Sequence, residues 1–354
     1  MRCAPTRHTA AFFAVFLAAV ASCGPSQGTR VRFEAMGGPI DLVWPSPPAV
    51  ARVRYLTSIS TPADVGASQS LFRRIVNVVT GTAAPRVRQP YGIAVDSAGV
   101  IFVADVLQRG VHRFDPVRGA YRFLTARAAG FRSPIGVAVD GAGNAYVSDS
   151  ELGAVVVIGS DGRERRRFSE GLRRPTGLAW EARRGWLWVV DTEAHQLLAI
   201  DREGSAVRRV GARGTAPGEF NYPTNVAVAP DGTIYVSDAL NVRIQVFDAD
   251  GAFLRQFGRH GDGVGDLARP KGVALDSDGH VYVVEGLYDV VNLFDAEGRT
   301  LLSVGEAGRG PGEFWLATGI AIDRKDRIYV ADSHNNRIQV LQYLRAGEPA
   351  GGAR

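Results

Sequence analysis

The sequence predicts an all-β chain built from one unit repeated six times. Three observations predict it. Six segments share a short apolar strand, a polar turn and a second strand ending in an acid, as in YGIAVDSAGVIFVAD (91–105), TNVAVAPDGTIYVSD (224–238) and TGIAIDRKDRIYVAD (318–332). An aromatic residue stands three before that acid at Phe102, Tyr146, Trp188, Tyr235, Tyr282 and Tyr329, at steps of 44, 42, 47, 47 and 47 residues. Each unit continues into a third strand, such as RIQVFD (243–248), and units one to five into a fourth, such as FLRQFG (253–258). Four antiparallel strands at this period make the blade of a β-propeller. The expected fold is therefore a six-bladed β-propeller of four-stranded antiparallel blades.

The elements follow in chain order. Residues 1–9 carry Arg2 and Arg7 and no acid, and residues 10–21 are an unbroken apolar run. Twelve residues of helix span about 18 Å, short of a bilayer core of roughly 30 Å. That pattern reads as a secretory signal. It ends in Val20-Ala21-Ser22-Cys23, which resembles the lipobox of bacterial lipoproteins. The resemblance implies cleavage before Cys23, acylation of that residue and an exported, lipid-anchored protein. Gly24 follows the Cys, so the resemblance implies the outer membrane more than the inner. Cleavage would remove Arg2 and Arg7 and lower the net charge from +5 to +3. The expected organisation is a signal peptide over 1–22, lipidated Cys23 and a Pro-containing tether to residue 50, a propeller over 51–345 and a tail over 346–354.

The strand Val53–Ile59 has no place in the repeats, and the sixth unit lacks a fourth strand. Pairing the two would close the ring and remove the edges an open array leaves. Turns such as Asp248-Ala249-Asp250-Gly251 and Asp295-Ala296-Glu297-Gly298 end in Gly, which supplies the positive φ that a tight hairpin needs.

The stretches 221–258 and 310–341 resemble the NHL repeat, and the linking segments GARGTAPGEFNYP (211–223) and GEAGRGPGEFW (305–315) match it as well. Units two and three depart from the pattern, lacking the third-strand Arg and the PGEF link. The leader 44–59 is similar to the start of exported bacterial NHL-propeller lipoproteins. The resemblance implies a propeller that binds a protein or RNA, and RNA does not suit an exported chain with a mature charge of +3.

Composition narrows the chemistry. The net charge of +5 is carried almost wholly by Arg, and it is scattered, which is no nucleic-acid footprint. The two cysteines, Cys3 and Cys23, exclude a disulfide framework and a Cys-based zinc site. No G-x-S-x-G, H-E-x-x-H or phosphate-cradling motif occurs. Asp276-Ser277-Asp278-Gly279 begins like a calcium loop but lacks the later ligands and reads as a hairpin turn. Propeller-type peptide-amidating lyases resemble this fold and place metal-binding His near first-strand entries. Here those positions are Gly92, Gly136, Gly177, Asn225, Gly272 and Gly319.

In a propeller the loops between strands two and three share one face with the loops entering strand one. The candidate binding face on that side comprises Arg109, Glu151, His195, Arg243 and Lys271, continuing through Tyr288, His334, Asn335 and Arg337. Loops on a rigid scaffold are where binding residues concentrate. Here His195 and His334 are expected as solvated loop residues. The repeating acids Asp105, Asp149, Asp191, Asp238, Glu285 and Asp332 are expected as strand-end anchors and not as metal ligands. In units four and six the acid precedes Arg243 and Arg337 by five residues, a natural ion pair. The expected function is a non-catalytic, envelope-anchored scaffold that binds a protein or small ligand, with no cofactor, metal or nucleic acid. The alternative is a lyase- or lactonase-type propeller enzyme with a metal-assisted site at the channel mouth.

Overall fold

A computed structural model describes residues 41–67, 85–126 and 130–345. Cys23, most of the expected tether and the expected tail lie outside these residues. The chain forms a six-bladed β-propeller. Blade 1 runs through Pro90–Val95, Ile101–Asp105, Gly110–Asp115 and Ala120–Leu124, each strand pairing antiparallel with the next. Blades 2 to 5 repeat this order, starting at Pro134, Pro175, Pro223 and Pro270.

Blade 6 takes three strands from the end of the chain, Ala317–Ile322, Arg327–Asp332 and Arg337–Tyr343. Its outer strand is Val53–Ile59, which pairs antiparallel with the last from Val53↔Tyr343 to Ile59↔Ile338. The two-residue strand Val43–Trp44 adds a fifth. Leu42 and Trp44 pack against the cluster between blades 5 and 6, so the end of the expected tether is docked on the propeller.

The core is divided among the seams. Six clusters of buried apolar residues occur among the described residues, one between each pair of neighbouring blades. The repeating second-strand aromatics are all buried, with Trp188 and Tyr329 at zero exposure. Burying such a side chain stabilises the fold by about 1.5–3 kcal/mol. The Tyr hydroxyls among them are satisfied locally: Tyr282 donates to Asp276 at 3.0 Å and Tyr329 to Asp323 at 3.1 Å.

The axis is packed by backbone. A Cβ at Gly92, Gly136, Gly177, Gly272 or Gly319 would strike the first strand of the next blade, for instance at 2.5 Å from the Asn225 Cα in the case of Gly177. Only Gly permits that approach. Hydroxyls join the same region across seams. Thr192 donates to the Pro223 carbonyl at 2.7 Å, and Thr318 to the Tyr91 carbonyl at 3.2 Å, across the junction of blades 6 and 1.

Candidate recognition face

The strand-end acids fix the loops of one face. All six carboxylates are fully buried, and each accepts backbone N–H groups from the loop entering its blade. In blades 1, 2, 3 and 5 the acid also accepts an N–H from the loop that follows it: Gln108, Leu152, Ala194 and Leu287. A buried carboxylate is tolerable only with its acceptor sites filled.

Blades 4 and 6 fill them with side chains. Asp238 receives Asn241 Nδ2 at 2.8 Å, Arg243 Nε at 2.8 Å and Gln245 Nε2 at 3.1 Å. Asp332 receives Asn335, Arg337 at 2.7 Å and Gln339 at 3.0 Å in the same way. Arg243 Nη2 also donates to the Glu219 carbonyl at 2.9 Å, and Arg337 Nη2 to the Glu313 carbonyl at 2.8 Å. Arg243, Asn335 and Arg337 therefore do not offer their charge or amide to a partner. They hold the PGEF links in place, because those links run over the third strand and expose carbonyls to it.

Blade 1 uses His112 where blades 4 and 6 use Gln. Its Nε2 lies 3.1 Å from Asp105 Oδ2 and its Nδ1 lies 2.9 Å from the Tyr121 hydroxyl. Burial pushes Asp105 upward, but hydrogen bonds from His112, Arg88 and Gln108 outweigh it and hold the carboxyl at about 2. Sequence reasoning missed this role of His112, Gln245 and Gln339. Their common spacing of seven residues after the acid was the available signal.

Just before each third strand the chain enters the left-handed region, at Arg109, Gly153, His195, Val242, Asp289 and Asn336, with φ of 54–59°. Two of these residues clasp the next blade. His195 is buried, and its Nδ1 accepts the Tyr222 N–H at 3.1 Å with the rings 4.6 Å apart. This corrects the expectation of a solvated His195: the clasp buries it. Asp289 Oδ1 accepts the Leu316 N–H at 2.6 Å. Burial raises the Asp289 carboxyl above its usual range, against the pull of hydrogen bonds from Leu316 and Ala317.

What remains exposed combines apolar side chains with charged ones such as Arg88, Arg109, Arg132, Arg259 and Arg309. The residue two after the acid projects to solvent in every blade, as Leu107, Glu151, Glu193, Leu240, Leu287 and His334. Leu107 is 64% exposed, Leu240 59% and Leu287 58%. Tyr222, Tyr288, Trp315 and Leu316 stand exposed beside them. Trp315 carries the Arg309 guanidinium 4.6 Å from its ring centroid and the His334 ring at 5.4 Å. The Leu, Tyr and Trp side chains form an arc over blades 4, 5, 6 and 1, facing Glu151 and Glu193 on blades 2 and 3. Arg109 is exposed on this face, and Lys271 sits nearer the axis with its Nζ 5.6 Å from the Tyr91 ring centroid.

The axial cavity between the first strands, lined by Gly92, Gly136, Gly177, Asn225 and Gly319, holds about 50 Å³. That is room for a few waters. Among the described residues no three His, Cys, Asp or Glu side chains converge as a metal-ligand set.

The NHL repeat model matches residues 220–247 and 314–341, in blades 4 and 6. No curated protein matches the chain. Solved structures match the fold. A virginiamycin B lyase from Staphylococcus aureus is 14% identical with a TM-score of 0.55, covering 72% of this chain and 95% of its own. A gluconolactonase from Xanthomonas campestris is 19% identical with a TM-score of 0.56, covering 84% and 99%. An auxiliary nutrient binding protein from Bacteroides ovatus is 15% identical with a TM-score of 0.58, covering 73% and 70%.

Proposed function

We propose that this six-bladed propeller with NHL repeats is a non-catalytic recognition module, exported and held at the envelope by lipid on Cys23. The observation that carries this reading is the apolar arc on the face of the second-to-third-strand loops. Leu107, Leu240 and Leu287 share one exposed position there, with Tyr222, Tyr288 and Trp315 beside them, while Arg243 and Arg337 are turned inward and Arg109, Glu151 and Arg309 stay exposed around them. A contiguous apolar patch rimmed by charge marks an interaction surface. Trp, Tyr and Arg, the residues that dominate protein interfaces, are all present in it. A protein segment with an apolar stripe is the partner this arc fits. The outer membrane is the expected site, from Gly24 after Cys23.

The lyase and lactonase neighbours are similar in fold at low identity. A substrate at the axis would need roughly 300–1,000 Å³, and the axial cavity offers about 50 Å³. This favours recognition on the face over chemistry at the axis.

The test is capture from detergent-solubilised envelope with wild-type chain, a Leu287→Glu/Trp315→Ala variant and a Leu254→Glu variant on an outer strand. A partner should be held by wild type and by Leu254→Glu. It should be lost from the face variant, with affinity down about thirtyfold or more and melting temperature unchanged. A partner bound equally by the face variant would refute the reading.

A further inference from the structure

Four blades carry Arg seventeen residues after the strand-end acid, at Arg122, Arg166, Arg208 and Arg255. All four occupy one register position, opposite Arg113, Val157, Ala199 and Val246. Each reaches across the rim to the next blade. Arg122 donates to the Asp161 carbonyl at 2.7 Å and Arg166 to the Arg202 carbonyl at 2.7 Å. Arg208 reaches Asp250 Oδ1 at 3.4 Å, and Arg255 reaches the Ala296 carbonyl. In blade 5 the same position, opposite Leu293, is Leu302. The latch is missing there, and blade 6 presents the N-terminal leader at that rim instead of a hairpin.

A cleft of about 580 Å³ opens at this seam. Leu293, Leu301 and Leu302 line it from blade 5, and Pro45 and Val50 from the leader. Val50 is 71% exposed and Leu301 51%. Small-molecule sites fall in roughly this size range, with apolar walls and a few polar groups. The acids at this rim are already engaged. Asp276 is held by His280 Nδ1 at 2.8 Å and by the Tyr282 hydroxyl, and Asp278 by the Tyr343 hydroxyl at 3.1 Å and by Arg345 at 3.6 Å. Arg52 lines the cleft, is exposed, and makes no side-chain hydrogen bond or ion pair among the described residues.

We propose that the cleft between blade 5 and the leader binds a small amphipathic carboxylate. Its apolar body lies between the leucines and the leader, and its carboxylate meets Arg52. An uncommitted guanidinium beside apolar walls complements an anion with an apolar tail.

Titration calorimetry of the mature chain with decanoate, decanol and decylamine tests this. Decanoate should bind at one site, and more tightly than decylamine. Arg52→Ala should weaken decanoate about tenfold and leave decanol unchanged. Leu302→Glu, which sets a carboxylate on the apolar wall, should abolish both. If that variant does not fold, Leu301→Glu on the exposed wall serves in its place. Trp315→Ala should bind decanoate normally, which separates this site from the recognition face. No saturable decanoate binding, equal binding of decylamine, or binding that survives the cleft variants would overturn the proposal. So would binding seen only after removal of residues 24–40, since that segment would then be the occupant.

Discussion

Asp105 shows what one strand-end carboxylate does. It accepts the Arg88 N–H at 2.7 Å from the loop entering its blade, the Gln108 N–H at 2.9 Å from the loop leaving it, and His112 from the third strand. Its pKa is held at about 2 in the folded chain, against about 4 when unfolded. A depressed carboxylate contributes stability that is fully present above the unfolded value and is lost as pH falls through the folded one. Asp105→Asn should therefore cost about 1–3 kcal/mol at pH 7, and the difference from wild type should shrink as pH drops from 4 to 2. Chemical denaturation of both proteins across that range checks it. A constant difference would mean the carboxylate charge is not what holds the loops. The sequence pattern alone marked these acids, because their spacing repeats. The five-residue spacing also marked the ion pairs of Asp238 with Arg243 and of Asp332 with Arg337. It could not show that those guanidinium groups also hold the entering loops, or that His195 is buried, since both depend on carbonyls and N–H groups brought in from loops 24–27 residues away.

The strand is the next scale, and Val53–Ile59 carries the most weight. Val53 and Ile59 have zero exposure and Tyr55 is 6% exposed, so the leader supplies core to both seams of blade 6. Deleting residues 24–60 should expose the edge of Arg337–Tyr343 and empty both seams. A broad, early thermal transition or aggregation is the expected outcome, whereas deleting 24–40 should leave the melting temperature near that of the intact mature chain. Equal melting curves would show that closure does not depend on this strand. Strand number and order were legible because apolar runs, turn Gly and acids recur in fixed register. The short Val43–Trp44 strand and the rim cleft were not. Both arise where the leader meets blade 5, a contact between chain ends that no local pattern records.

At the scale of the whole molecule, the propeller is a closed ring with an apolar arc on one face and, by proposal, a lipid at its N-terminus. Cys23→Ala should release the chain from membranes or leave an unprocessed precursor in fractionated cells. A processed Cys23→Ala chain that stays in the membrane would rule out the lipid anchor. The recognition face itself is tested most directly by site-specific photo-crosslinking in intact cells. Benzoylphenylalanine at Leu240 or Leu287 on the arc, and at Leu254 or Val117 on exposed positions elsewhere, samples apolar residues of similar exposure. A discrete partner adduct from the arc positions and none from the others is the predicted result. Adducts from the other positions, with the arc positions blank, would contradict the account.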